Sequence, residues 1–268
     1  MPTVRANGIE IDYRLDGDGP EVLVLVNGLA DAKESWAAQV PAFAERYRVL
    51  SYDNRGVGGT SAPPGPYTTR LMADDLHALV EALGIGRFHL LGTSMGGMIA
   101  QEYAIAHAER LRSVALCNTY AWPGPYCLRM FQLWRELVPV LGVGFTQREI
   151  LLWAFTTRFV EERPEECAAV EAELAANPQP ADAYLAQLSA IETHDTRGRL
   201  AAVACPALTL VGEQDLIIYP DLSRRLHDEL PRSTWAEVPG GHACLWELPD
   251  AFNAAVLTFL AGLGADAG

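Results

Sequence analysis

A serine enclosed by glycines joins an apolar segment to a helix-like segment at 88–104, FHLLGTSMGGMIAQEYA. Residues 92–96, GTSMG, match G-x-S-x-G, the pattern of a sharp strand-to-helix turn that exposes a nucleophilic hydroxyl. The strand and helix backbones crowd such a turn, so the positions two residues before and after the serine require small residues such as glycine. Ser94 is therefore a candidate nucleophile. The helix that begins near Met95 directs its free N–H groups toward a developing anion.

A serine nucleophile needs a base, and the base needs an orienting carboxylate. Among six histidines, His242 follows the last predicted strand and precedes the final predicted helix, which puts it at the same sheet edge as Ser94. The acid is then expected between them in the chain, at a strand end. Asp215, just past the predicted strand at 206–212, is preferred. Its rivals are Glu213 and Asp221.

Negative charge on a carbonyl oxygen is stabilised by N–H donors fixed in advance. The backbone N–H of Met95 is expected to be one donor. The loop after the apolar run at 21–27 is expected to supply the other. Gly28 lets the backbone turn there, and the N–H of Leu29 is the natural donor.

Several strands must bring these residues to one edge of a sheet. Residues 3–15 predict a hairpin around Asn7-Gly8, and continuous apolar runs predict strands that are buried on both faces. Such runs lie at 21–27, 48–53 and 88–92, and further strands are predicted at 113–118, 206–212 and 234–240. Helical spacing of apolar residues predicts helices at 71–84 and 251–263. Alternating strands and helices indicate an α/β fold with a mostly parallel central sheet flanked by helices.

One region, 120–200, has helical patterns separated by glycine and proline and no good strand pattern. It is predicted to be a helical cap inserted into a core made of 1–119 and 201–268. Cap aromatics such as Trp134 and Trp153 could line an apolar pocket above Ser94, or could simply pack the cap onto the core. Three cap arginines could hold a substrate carboxylate or could be solvated. They are Arg129, Arg135 and Arg158.

Composition narrows the class of partner. The 268 residues carry a formal net charge of −14 and half of them are apolar, so nucleic acid and anionic membranes are unexpected partners. No apolar run is long enough to suggest a membrane span, and the N-terminus does not resemble a signal peptide. Five scattered cysteines without C-x-x-C favour neither disulfides nor zinc. We expect a cytoplasmic location, a small-molecule substrate, no cofactor and no metal; the oligomeric state stays open.

The chain is similar to the α/β-hydrolases over about residues 3 to 262. The motifs that carry the likeness are NGLADAKESW, YDNRGVGGTSAPPGPYT, LGTSMGGMIAQEYA, LVGEQD and PGGHACLWELPDAFN. The resemblance implies that Ser94 is the nucleophile, His242 the general base and acid, and Asp215 the orienting carboxylate. It also implies that Leu29 and Met95 form the oxyanion hole.

A narrower likeness, to 3-oxoadipate enol-lactonases and related small esterases, is carried by PPGPYT, TSMGGMIAQ and WAFTTRF. One departure is Asn27, where many members have histidine; this side chain is expected to support the loop. The resemblance implies a hydrolase of esters or lactones. A C–C bond hydrolase, a cofactor-free perhydrolase and a ligand-binding receptor on the same fold stay open. Ser94 argues against a dehalogenase or epoxide hydrolase, which would have aspartate there.

Overall fold

An eight-stranded sheet forms the centre of the computed structural model, which describes residues 2–176 and 178–265. Its spatial order is β1-β2-β4-β3-β5-β6-β7-β8. The β1/β2 and β2/β4 pairs are antiparallel, and the other neighbouring pairs are parallel. The strands are β1 Thr3–Ala6, β2 Ile9–Asp16, β3 Glu21–Val26, β4 Tyr47–Tyr52, β5 Phe88–Thr93, β6 Leu111–Cys117, β7 Ala207–Gly212 and β8 Ser233–Val238.

Helices connect these strands and flank the sheet. Those outside the β6–β7 connection are α1 Val40–Ala44, α2 Thr69–Ala82, α3 Met95–Ala106, α9 Pro220–Glu229, α10 Cys244–Glu247 and α11 Pro249–Ala265. Those between β6 and β7 are α4 Gly124–Leu141, α5 Val143–Ala154, α6 Thr157–Glu162, α7 Pro164–Ala176 and α8 Ala181–Thr193. We call α4 to α8 the helical segment. Within the described residues, no helix is both long and apolar enough to cross a membrane.

The core lies on both faces of the sheet because side chains alternate along each strand. In β3, Val24 and Val26 belong to the cluster formed with α2, α3 and the helical segment. Leu23 and Leu25 belong to a second cluster that includes residues of α1 and α11. Burial on both faces explains the continuous apolar runs, which parallel strands require.

The structure confirms the predicted fold class, with element ends that differ by about two residues at most. The helix predicted at 71–84 begins earlier, at Thr69, because the Thr68 side chain accepts the N–H of Leu71 and caps the helix. The predicted insertion at 120–200 contains the whole helical segment. The role of this segment as a cap stays a prediction.

Candidate active site

The serine turn has a backbone conformation that its neighbours impose. Ser94 joins β5 to α3 with a φ of +53°, a region that residues other than glycine rarely adopt. A Cβ on Gly92 would collide with the Gly96 carbonyl, and one on Gly96 with the Val26 carbonyl. The Ser94 N–H donates to the Cys117 carbonyl at 2.9 Å. The turn is thus fixed by close packing, at a strain cost of about 1 to 3 kcal/mol.

A histidine–aspartate pair lies at the same edge of the sheet. His242 Nδ1 is 2.8 Å from Asp215 Oδ2. The second oxygen, Oδ1, accepts the N–H groups of Ile217 at 2.9 Å and Ile218 at 2.8 Å. The Asp215 side chain is fully buried, whereas that of His242 is 15% exposed. Because a carboxylate only accepts, the proton lies on Nδ1, which leaves Nε2 free to act as a base.

Ser94 and His242 line one cavity. Among the hydrogen bonds of residues 2–176 and 178–265, none joins Ser94 Oγ to His242 Nε2. Contacts between a nucleophile and its base often tighten only when substrate is bound. The rival acids Glu213 and Asp221 are exposed, and Asp215 is the one that contacts His242.

Two polar residues that sequence reasoning missed fix the histidine loop. Asn118 follows β6; its Nδ2 donates to the His242 carbonyl at 2.7 Å, and its Oδ1 accepts the Gly212 N–H at 2.8 Å. Glu247 accepts the Gly241 N–H at 2.8 Å and the Thr156 hydroxyl at 2.6 Å. Asn118 therefore holds the loops that carry the acid and the base together. Its place at the end of the strand predicted at 113–118 was the only signal in the sequence.

The two predicted N–H donors of an oxyanion hole are free of internal partners. Leu29 lines the cavity, and Met95 is the first residue of α3. Among the described residues, neither backbone N–H donates a hydrogen bond. The neighbouring Ala30 N–H, in contrast, donates to Gln187 Oε1 of α8 at 3.0 Å. Both unpaired N–H groups can therefore bind an anionic oxygen.

A dense polar network holds the loop after β3, which we call the β3 loop (residues 27–36). The Asn27 amide donates to the Ala32 carbonyl and the Ser35 hydroxyl, both at 2.6 Å, and accepts from Trp36 Nε1 at 3.0 Å. Lys33 is buried, and its Nζ lies 2.9 Å from a carboxylate oxygen of both Asp12 and Asp53. Asn27 thus does what was expected of it, and supports the loop.

The cavity is mainly apolar and is lined from both sides. The helical segment contributes Phe131, Trp134 and Ile150, among others, and the sheet side contributes Ile217 and Ile218. Its polar lining residues are Asp31, Thr93, Ser94, Gln147, Tyr184 and His242. No group of three or more potential metal-ligating side chains occurs in the described part of the chain.

Of the five possible pocket residues, Trp134 is buried and lines the cavity, whereas the other four are absent from its described lining. Trp153 is 42% exposed and donates to Glu149 on its own helix. The three arginines lie outside the lining: Arg129 is exposed, Arg135 pairs with Glu192, and Arg158 pairs with Glu162. Since none of the three lines the cavity, none is placed to hold a substrate carboxylate at Ser94.

Asp31 is an acidic lining residue that the sequence analysis did not single out. It lies in the β3 loop between Leu29 and Lys33, and its side chain is half-buried. Burial raises the pKa of the Asp31 carboxyl to about 7, and the nearby His242 acts in the opposite direction. An acid in a loop that has no hydrophobic periodicity gives no sequence signal that it lines a cavity.

Comparison with known proteins is consistent with this geometry. Residues 21–249 match the family model described as alpha/beta hydrolase fold. The chain is 32% identical to the "Putative carbamate hydrolase RutD" of Klebsiella pneumoniae subsp. pneumoniae, over 88% of this chain and 89% of that one. A solved enol-lactonase from Burkholderia xenovorans LB400 is 31% identical, with a TM-score of 0.90 over 97% of this chain and 100% of that one. A thermophilic esterase from Thermogutta terrifontis is 28% identical, with a TM-score of 0.89 over 98% and 99%.

Proposed function

Because the chain belongs to the alpha/beta hydrolase fold family, we propose that it is a serine hydrolase that cleaves a carboxylic ester or lactone of a small molecule. The relatives support hydrolase activity. One observation carries the proposal of a serine nucleophile. The strained Ser94 turn shares a cavity with His242, and Nδ1 of His242 contacts the buried Asp215.

In the proposed reaction, Ser94 Oγ attacks the carbonyl carbon while His242 Nε2 takes its proton. The carbonyl oxygen becomes an oxyanion that accepts the N–H groups of Leu29 and Met95. Asp215 holds the imidazole in the required tautomer. The C–O bond then breaks, His242 gives its proton to the leaving oxygen, and an acyl-enzyme remains. Water, deprotonated by His242, attacks this ester and releases the acid and the serine.

The helical segment is proposed to act as a cap at 120–200. Phe131 and Trp134 line the cavity from this side, so they would exclude water and limit the size of the acyl group. Gln187 connects the segment to the active site, since it accepts from Ala30 and donates to the Arg55 carbonyl at 2.8 Å.

A carbamate is the second candidate substrate, favoured by the carbamate hydrolase relative. Attack of a serine on a carbamate carbonyl uses the same base and the same oxyanion donors. C–C bond hydrolysis, perhydrolysis and binding without turnover are the remaining alternatives, which an absence of turnover in the test below would favour.

The test is turnover of three neutral substrates: phenyl butyrate, γ-caprolactone and an N-alkyl phenyl carbamate. The proposal expects turnover of the ester or lactone, and the change Ser94→Ala should lower it by about 10⁶-fold, as in other serine triads. Ser61 is half-buried and lies outside the cavity lining, so Ser61→Ala serves as a matched control that should retain turnover. Turnover that survives Ser94→Ala, or no turnover of any of the three, would refute the proposal; turnover of the carbamate alone would select the second candidate.

A further inference from the structure

Asp31 is an acid in the cavity without a partner of its own. Among the hydrogen bonds and ion pairs of residues 2–176 and 178–265, none involves its carboxyl group. Lys33, the nearest cation along the chain, is already paired with Asp12 and Asp53. A carboxyl in an apolar cavity without a hydrogen-bonding partner is costly. Such a group is retained against its cost where it contributes to binding or chemistry.

The carboxyl lies close to the reacting serine. A Cβ on Gly28 would lie 2.8 Å from Asp31 Oδ2 and 3.5 Å from Ser94 Cβ. Both side chains therefore border the same small space beside Gly28. Since Leu29 is the next residue, Asp31 also lies beside the proposed oxyanion donor. A substrate carbonyl bound at Ser94 would bring its nearest substituents into reach of Asp31.

The rest of the lining offers no permanently charged cation to balance a substrate carboxylate. Its described residues include no lysine and no arginine. The titratable groups that line the cavity together with Asp31 are His242, from the loop after β8, and Tyr184, from α8; of these, His242 acts on the Asp31 carboxyl. On its own loop, Lys33 is also within 3.2 Å of Glu34, so this cation is balanced by carboxylates.

We infer that Asp31 is a specificity-determining residue: it disfavours substrates that carry a carboxylate and accepts an N–H or O–H group next to the scissile carbonyl. The inference rests on the proposed function, and it narrows the substrate class to neutral esters or lactones with such a donor. It separates this chain from hydrolases that use a cavity cation to bind acyl carboxylates.

The first arm of the test compares two substrates that differ in charge, phenyl hydrogen adipate and its methyl phenyl diester. The measurement is the ratio of kcat/KM for diester over monoester from pH 6 to pH 8, with uncatalysed hydrolysis subtracted. The substrate carboxylate is ionised throughout, and protonation of His242 affects both substrates alike, so the ratio reports Asp31. Charges about 7 Å apart at an effective dielectric constant of about 20 limit the effect of full Asp31 ionisation to about fiftyfold. Because a group with a pKa of about 7 goes from about nine-tenths to about one-tenth protonated over this range, we expect the ratio to rise by about eight- to tenfold from pH 6 to pH 8.

Two variants complete this arm. Asp31→Asn should flatten the pH dependence of the ratio. Asp221→Asn, which removes the same charge at an exposed position of α9, should retain the wild-type profile. The wild-type profile itself needs no variant, so the test holds even if Asp31→Asn folds poorly. A flat wild-type ratio, or an Asp31→Asn profile like that of the wild type, would overturn the inference.

The second arm compares phenyl N-acetylglycinate with phenyl 4-oxopentanoate, in which a CH₂ replaces the N–H. We expect the wild type to prefer the N–H substrate by about tenfold, the size of one hydrogen bond to a charged group, and Asp31→Leu to lose this preference. Equal kcat/KM values in the wild type would contradict the inference. If the neutral esters are not hydrolysed at all, the proposed function fails instead, so the two failures are distinguishable.

Discussion

The orienting role of Asp215 can be tested by the single-atom change Asp215→Asn. The buried carboxylate accepts two backbone N–H groups on Oδ1 and contacts His242 on Oδ2. An asparagine has one accepting oxygen, and Ile217 and Ile218 both donate. The carbonyl oxygen must therefore face these N–H groups, which turns the NH₂ group toward His242.

This orientation inverts the role of the imidazole. The new NH₂ group donates to Nδ1, so the ring proton moves to Nε2. A protonated Nε2 can no longer accept the proton of Ser94. The imidazolium also loses its compensating charge. Comparable changes in other triads lower kcat by about 10⁴-fold, or about 5.4 kcal/mol at about 1.36 kcal/mol per tenfold. The fold is expected to persist, because the backbone contacts of the residue are retained.

The assay is kcat/KM on phenyl butyrate, with circular dichroism and thermal unfolding as the check on folding. Glu213→Gln and Asp221→Asn are the matched controls, since both acids are exposed rivals for the same role; both should stay within about threefold of the wild type. A folded Asp215→Asn enzyme within about tenfold of the wild type, or an inactive Glu213→Gln or Asp221→Asn, would refute the assignment.

Three further perturbations probe the surroundings of the site. Asn118→Ala removes two hydrogen bonds that join the acid and base loops and should lower kcat/KM by about 10- to 100-fold at about 1 kcal/mol each; wild-type activity would contradict a positioning role. Asp31→Asn should stabilise the fold at pH 8, by about 2 kcal/mol after allowance for partial exposure, and hardly at pH 4. The sign follows because the Asp31 carboxyl ionises near pH 4 in the unfolded chain and only near pH 7 in the folded one, so the folded wild type loses stability as pH rises between these values. Urea unfolding at pH 4 and pH 8 measures the free energy of unfolding that checks it. Trp134→Ala should reorder kcat/KM across esters of different acyl size, whereas Trp153→Ala, outside the cavity, should leave the order unchanged; the reverse result would refute the lining.

The fold could be predicted because parallel strands and amphipathic helices leave strong patterns. A strand buried on both faces is mostly apolar along its length, as β3 is from Val22 to Val26, and no other element of this length shows that pattern so clearly. The ends of helices were less accurate, because they depend on single caps. Thr68 moved the start of α2 by two residues through one hydrogen bond to Leu71.

The candidate catalytic residues could be predicted because each is tied to a strand end. Ser94 follows β5, Asp215 lies three residues after β7, and His242 lies four residues after β8. In a parallel sheet these ends meet at one edge, so chain order already implies proximity. The pocket is different, because its lining depends on which faces of α4 and α5 pack inward. Trp134 and Arg135 are adjacent in sequence, yet only the tryptophan lines the cavity.

Under the proposed function, the β3 loop couples substrate preference to catalytic geometry. The Asn27 amide ties the loop to itself at Ala32. Lys33 joins the loop to Asp12 of β2, and Gln187 of α8 holds it at Ala30. The N–H of Leu29 and the carboxyl of Asp31 flank that same residue. A displacement of α8 by a poorly fitting substrate would therefore move the proposed oxyanion donor and the proposed selecting acid together. Discrimination at this loop then acts on kcat as well as on KM, because a misplaced donor weakens the transition state more than the ground state.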